Sequence, residues 1–182
     1  LDSTVSIRLP DATSIADDSG NEYIKFAKTA SAVNEVSVTN NSTGNNPIIS
    51  ASGGDTNVSL EFTAKGTGKI IFNNGGYFPE ATLTDGATID WNMATESVSK
   101  VTLADNRTLN APTNGSTGQF ASLLIIQDGT GTRTLTWNAV YEFATDTAPT
   151  LTATAGLADL FTFRYNGTKW LEVGRNLALT VA

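Results

Sequence analysis

The chain has 182 residues, only 16% of them charged, a formal net charge of −7 and a sequence pI near 4.4. No partnership with nucleic acid is expected of it, because a sequence-independent grip on phosphates needs Lys and Arg clustered on one face. It contains neither Cys nor His, which excludes disulfides, thiolate metal sites, ordinary zinc sites, Ser-His-Asp triads and Cys-His nucleophiles.

The length suffices for one good core or two small ones. No apolar run approaches a membrane span and the start lacks a signal-peptide pattern, so no membrane insertion is expected. Beginning at Leu1 rather than Met, the sequence reads as a fragment or a processed product.

In chain order, Val5, Ile7 and Leu9 alternate with polar residues as a half-buried strand does, and Pro10 ends that run. The Asp17, Asp18, Asn21 and Glu22 oxygens lack the spacing of a calcium loop and read as a solvated turn. From Glu22 to Asn73 short alternating pieces begin near Glu22, Glu35, Pro47, Val58 and Lys69, separated by turn formers. Short strands at such spacing predict an all-β sandwich, barrel or solenoid. A thin rung cannot enclose its own core and must stack on neighbours or wind around identical chains. The expectation is therefore a β-solenoid-like or intertwined N-terminal region over residues 1–76, in a homotrimer.

Two stretches resemble known proteins. NEYIKFAKTASAVNEVSVTN, the ISASGGDTN turn and KGTGKIIF resemble a segment common in fibre and spike proteins of tailed bacteriophages. VTLADNRTLNAPTN, QDGTGTRTLTWNAVYEF and APTLTATAGLADLFTFRYNGTKW are similar to a β domain of such virion proteins. The resemblance covers about residues 20–73 and 83–173. It implies a non-enzymatic virion component (a fibre, a spike or a capsid decoration) at the virion surface, among other virion proteins and in contact with host cell-surface polysaccharide. In a phage protein the sequons at Asn40, Asn41, Asn57, Asn106, Asn114 and Asn166 carry no glycosylation meaning.

Asn73 to Gly76 is the expected boundary, with Tyr77 and Phe78 tucked against one side or the other. Residues 77–182 are then expected to form an antiparallel β-sandwich. Its centre is a hairpin: Phe120–Ile126, read as buried on both faces, turns at Asp128–Gly131 into Thr132–Trp137. The nearest thing to a helical turn is Ala153–Ala158. A second hairpin, LFTFRY–NG–TKWLEV, predicts a type I′ turn at Asn166-Gly167 that pairs Tyr165 with Thr168, Phe163 with Trp170 and Arg164 with Lys169.

Chemical motifs are few. Gly66-Thr67-Gly68-Lys69 lacks the remainder of a phosphate loop, and Gly129-Thr130-Gly131 is a turn rather than a dinucleotide fingerprint. Paired carboxylates are the catalytic chemistry that composition permits, the candidates being Glu80, Asp85, Asp90, Asp105, Glu142 and Asp146. Most lie beside turn formers, so no catalytic, metal or cofactor residue is assigned. A carboxylate-based polysaccharide depolymerase or a carbohydrate-binding module is the alternative function. Among the aromatics, Trp137 and Trp170 read as core or interface. Tyr141, the least constrained, and Trp91 are the residues expected to touch glycan.

Overall fold

The computed structural model describes residues 14–27 and 29–181. The expected strand at Val5–Leu9 lies outside them. The chain divides into two units, the first ending at Phe72 and the second beginning at Asn73. Secondary structure is almost entirely β.

The first unit holds two antiparallel hairpins. Strand β1 (Ser14–Ala16) pairs with β2 (Glu22–Lys25). The turn between them is built on Asp17, whose Oδ1 accepts from the amides of Ser19 at 3.0 Å and Asn21 at 2.7 Å. Strand β3 (Asn34–Thr39) pairs with β4 (Ile48–Gly53) in one unbroken register from Asn34↔Gly53 to Thr39↔Ile48. The pieces expected near Val58 and Lys69 keep their apolar alternation, yet they join no strand pair among the described residues. A strand exists only against a partner that takes its N–H and C=O groups, and the described residues offer those two segments none.

In the second unit the chain shuttles between two sheets. Strands β5 (Ala81–Thr82), β7 (Val98–Leu103) and β9 (Phe120–Gln127) lie in one sheet; β6 (Thr88–Ile89), β8 (Arg107–Leu109) and β10 (Leu135–Trp137) lie in the other. Each set runs parallel. Ala81, Ser99 and Leu123 align across the first sheet, and Ile89, Leu109 and Trp137 across the second. Three turns of a coil result. A parallel pair needs a crossover, and here each crossover is a strand of the opposite sheet. The larger sheet continues antiparallel beside β9 with β12 (Leu157–Tyr165) and β13 (Trp170–Thr180), and β11 (Tyr141–Glu142) adds a parallel edge to β13. A 3-10 turn at Ala144–Asp146 follows β11, whereas Leu157 and Ala158 of the expected helical turn already begin β12.

The all-β expectation holds, while the purely antiparallel pairing expected here is corrected: the coil strands β5 to β10 pair in parallel, and only β12 pairs antiparallel, with β9 and β13. The central hairpin is corrected too, since β10 pairs with β8 and not with β9. The cause is local. Asp128 Oδ1 accepts from the amides of Thr130 at 3.0 Å and Gly131 at 2.9 Å. Gly131 and Thr132 then both take left-handed backbone, with φ of +74° and +62°. The buried Gln127 side chain clasps Arg133, accepting from its amide at 2.8 Å and donating to its carbonyl at 2.9 Å. Consecutive left-handed residues swing the chain across to the other sheet. A Cβ at Gly131 would lie 2.6 Å from the Ala153 carbonyl and 2.7 Å from the Ala155 amide. Gly131→Ala should therefore lower stability by about 1–3 kcal/mol or more, from strain plus clash. Gly129→Ala, in open space, should leave the melting temperature nearly unchanged.

Side chains explain the two layers. Ala121, Leu123, Ile125 and Gln127 of β9 are buried, while Ser122, Leu124 and Ile126 are half-exposed and Phe120 is exposed. The strand thus has one core face, which corrects its reading as buried on both. Phe161 and Phe163 of β12 extend that face. Trp137 meets Tyr141, Phe143 and Phe161 edge-on, with centroids 5.4, 5.1 and 5.0 Å away. Edge-to-face pairs of this kind add to simple area burial. Tyr77 and Phe78, expected to be tucked in, are largely exposed.

The final hairpin forms with its register moved. Tyr165 pairs with Trp170, Arg164 with Leu171 and Phe163 with Glu172. Asn166 is the first paired residue of the turn and not one of its two tip residues. Its side-chain oxygen accepts from the amides of Thr168 at 2.9 Å and Lys169 at 2.7 Å, and its own amide donates to the Lys169 carbonyl. Asn-Gly chemistry fits a type I′ tip, but a capping Asn one position earlier satisfies more backbone groups. The shift removes the expected Arg164–Lys169 repulsion and stacks Tyr165 on Trp170 at 4.8 Å.

Candidate functional site

The two residues expected to touch glycan are both buried. Trp91 is 1% exposed and Tyr141 5%. The Trp91 indole donates to the Glu96 carbonyl and to Ser99 Oγ. The Tyr141 hydroxyl donates to the Asn110 carbonyl at 3.1 Å, and burial pushes its pKa upward. Tyr141 has almost no exposed ring, which corrects its reading as the least constrained aromatic, and Trp91 reaches solvent only at the floor of a cleft. Strand alternation gave no warning, because Tyr141 belongs to a two-residue edge strand whose inward face is set by Trp137, Phe143 and Phe163.

The carboxylates are dispersed. Glu80 pairs with Lys100 at 2.6 Å and Glu142 with Lys169 at 3.5 Å. Asp90 accepts from the Asn110 side-chain amide at 2.7 Å, and Asp146 sits exposed in the 3-10 turn. Asp85 and Asp105 are brought together around Arg107. Asp85 takes both Nε, at 2.8 Å, and Nη2, at 2.7 Å, and Asp105 lies 3.9 Å from Nη1. Asp128 holds Arg133 in the same bidentate way.

Asp85, Asp105 and Asp128 occupy equivalent places: each stands at a corner where the chain leaves the larger sheet for the smaller. A repeat in the sequence marks the first two corners. Leu83-Thr-Asp85-Gly-Ala-Thr88-Ile89-Asp90 and Leu103-Ala-Asp105-Asn-Arg-Thr108-Leu109-Asn110 share their spacing. In the structure Thr88 aligns with Thr108 and Ile89 with Leu109. Sequence reasoning sought repeats only before Asn73, and this eight-residue repeat was the signal for the coil. It stacks Ile89 on Leu109 as a buried layer and brings Leu83 beside Val101 in the core, with both aspartates turned to Arg107.

These corners carry a pH dependence. Hydrogen bonds from Arg107 hold the Asp85 carboxyl below the usual range, and those from Arg133 bring Asp128 down to about 2. A carboxyl depressed in the folded state contributes stability that is present above the unfolded pKa of about 4 and is lost as pH falls through the folded value. Melting temperature should therefore fall between about pH 4 and 2. Arg133→Ala should flatten that acid limb while leaving the buried core untouched. An acid limb equally steep in the variant would show that Arg133 is not its cause.

One cleft of about 360 Å³ opens between β5 and β6, the free edges of the two sheets. Leu83 and Trp91 form its buried floor, and Thr82, Thr84, Thr88, Thr113 and Asp90 are exposed around it. One wall is the turn Asn92–Glu96. In that turn the Glu96 amide donates to the Asn92 carbonyl at 2.9 Å, and the Asn92 amide donates to Glu96 Oε2 at 2.9 Å. A second groove, of about 440 Å³ and mostly apolar, runs past Phe78, Val98 and Phe120 on the outward face of the larger sheet.

A family model described as "Putative phage tail fibre C-terminal domain" matches residues 77–170, from just before the first coil to the start of β13. The chain belongs to this family. The tail-fibre domain is thus the coil together with its closing strand β12, and the chain is a structural, virion-associated component of a phage tail appendage, in the company of other virion proteins. Neither the curated proteins nor the solved structures contain a match to the chain. Among the described residues of this tail-fibre protein, no helix is long and apolar enough to cross a membrane.

Proposed function

We propose that the chain is a non-enzymatic segment of a homotrimeric tail fibre, displayed at the virion surface, where it engages host-surface glycan. The observation that carries the assembly is the first unit, in which none of the described residues is buried. Val38 is 75% exposed, Ile71 77% and Phe72 81%. Each buried aliphatic or aromatic side chain of that size contributes roughly 1.5–3 kcal/mol, so this unit alone forgoes the term that stabilises folded chains. Its two strand-like segments, without a pair among the described residues, need an edge to join. A ring of three gives each copy two neighbours through one heterologous contact, so it can lend strands to one and receive them from the other.

The carboxylates support a role without catalysis. Glu80, Asp85, Asp128 and Glu142 each bond a cation, which fits structural ion pairs better than two carboxylates flanking a scissile bond. Weak binding at each subunit gains strength when three linked sites act together. Sedimentation equilibrium tests the reading: a trimer mass is expected at micromolar concentration, and a folded monomer there overturns it. Host polysaccharide incubated with the trimer should keep its chain length.

A further inference from the structure

We propose that the cleft between β5 and β6 binds an uncharged, hydroxyl-rich saccharide of one or two rings, which rests on the glycan reading above and gives it a place. The cleft's volume of about 360 Å³ falls within the roughly 300–1,000 Å³ of small-molecule sites. Its rim is a set of short polar groups. The exposed side chains of Thr82, Thr84, Thr88 and Thr113 can each donate and accept a hydrogen bond. The carboxylates of Asp90 and Glu96 accept only.

Each carboxylate is held in place by the protein. Asp90 Oδ1 accepts from Asn110 Nδ2 at 2.7 Å, and Glu96 Oε2 from the Asn92 amide at 2.9 Å. Since an ionised carboxyl offers about four acceptor positions, most of that capacity remains for ligand hydroxyls. The Asn92–Glu96 turn is itself tied to the floor, because the Trp91 indole donates to the Glu96 carbonyl. A wall so fixed loses little entropy when a ligand arrives.

The same groups select against other occupants. Two carboxylates on a chain of net charge −7 repel acidic sugars and phosphates. An added β-strand is disfavoured because β5 and β6 are two residues each, too short an edge to hold a strand by backbone pairing alone. Ligand hydroxyls, which donate to carboxylates and exchange bonds with threonine, match what the cleft presents.

The test uses the full assembled chain against a panel of purified bacterial surface polysaccharides, neutral and acidic, by biolayer interferometry. The expected result is binding to at least one neutral member. Thr88→Lys, which fills the cleft, should weaken it at least tenfold, and Asp90→Asn several-fold, with unchanged melting temperature and sedimentation in both variants. Wild-type binding that both variants retain would overturn the cleft assignment while leaving the glycan reading standing. Binding confined to acidic polysaccharides would overturn the assignment by its charge logic. No binding by the wild type to any member would overturn the glycan reading and the cleft together. Loss of trimer in Thr88→Lys would mark the edge as a strand-pairing contact between copies and overturn the assignment.

Discussion

Leu123→Asp is expected to leave the second unit unfolded, whereas Leu124→Asp, one residue along the same strand, should leave it folded. Leu123 has no exposed surface and lies between Ser99 and Phe161 on the core face. Removing a buried leucine side chain costs about 2–5 kcal/mol. A carboxylate left in the core without a partner adds several more. The total reaches the 5–15 kcal/mol that holds a typical domain together. Leu124 points outward between Lys100 and Leu160 and is half-exposed. An aspartate there stays solvated beside the Lys100 ammonium, so the melting temperature should drop by no more than about 4–8 °C, the shift of roughly 1 kcal/mol in a domain of this size. Circular dichroism melts of both variants check the contrast. Equal loss of structure in the two would mean that the outward face is covered after all.

The second large effect concerns the two units taken apart. Residues 73–182 expressed alone should fold as a cooperative monomer, because their core of Leu103, Leu109, Leu123, Phe161, Phe163 and Trp170 is complete within one chain. Residues 1–72 alone should show concentration-dependent β structure that dissolves on dilution, as stability that comes from association obeys mass action. Phe62→Ser combined with Ile71→Ser should shift the whole chain from trimer towards monomer, since both side chains are largely exposed in the single chain and would be covered only by a neighbour. Analytical ultracentrifugation of the fragments and the double variant reads the outcome. A first unit that stays folded and monomeric on dilution would remove the reason for a trimer.

Much of this protein was legible without its coordinates. Local alternation and turn formers marked β2, β3, β4, β9, β12 and β13, because a period of two residues and a preference for Gly, Asn and Asp at bends are properties of a few neighbouring residues. Absence of His and Cys limited the chemistry, and the turn and strand motifs pointed to phage appendages. What neighbouring residues cannot specify is the partner of each strand. Parallel and antiparallel ladders use the same N–H and C=O groups, so Thr132–Trp137 looked like the return arm of a hairpin. Only the Gln127 clasp and the left-handed pair Gly131-Thr132 sent it to β8 in the opposite sheet. The same non-local pairing buried Tyr141 beneath Trp137 and Phe163 and tied the Trp91 indole to the Asn92–Glu96 turn. The cleft between β5 and β6 likewise exists because two short edges, six residues apart in the chain, end the coil on opposite sheets, and no pattern within either strand encodes that meeting.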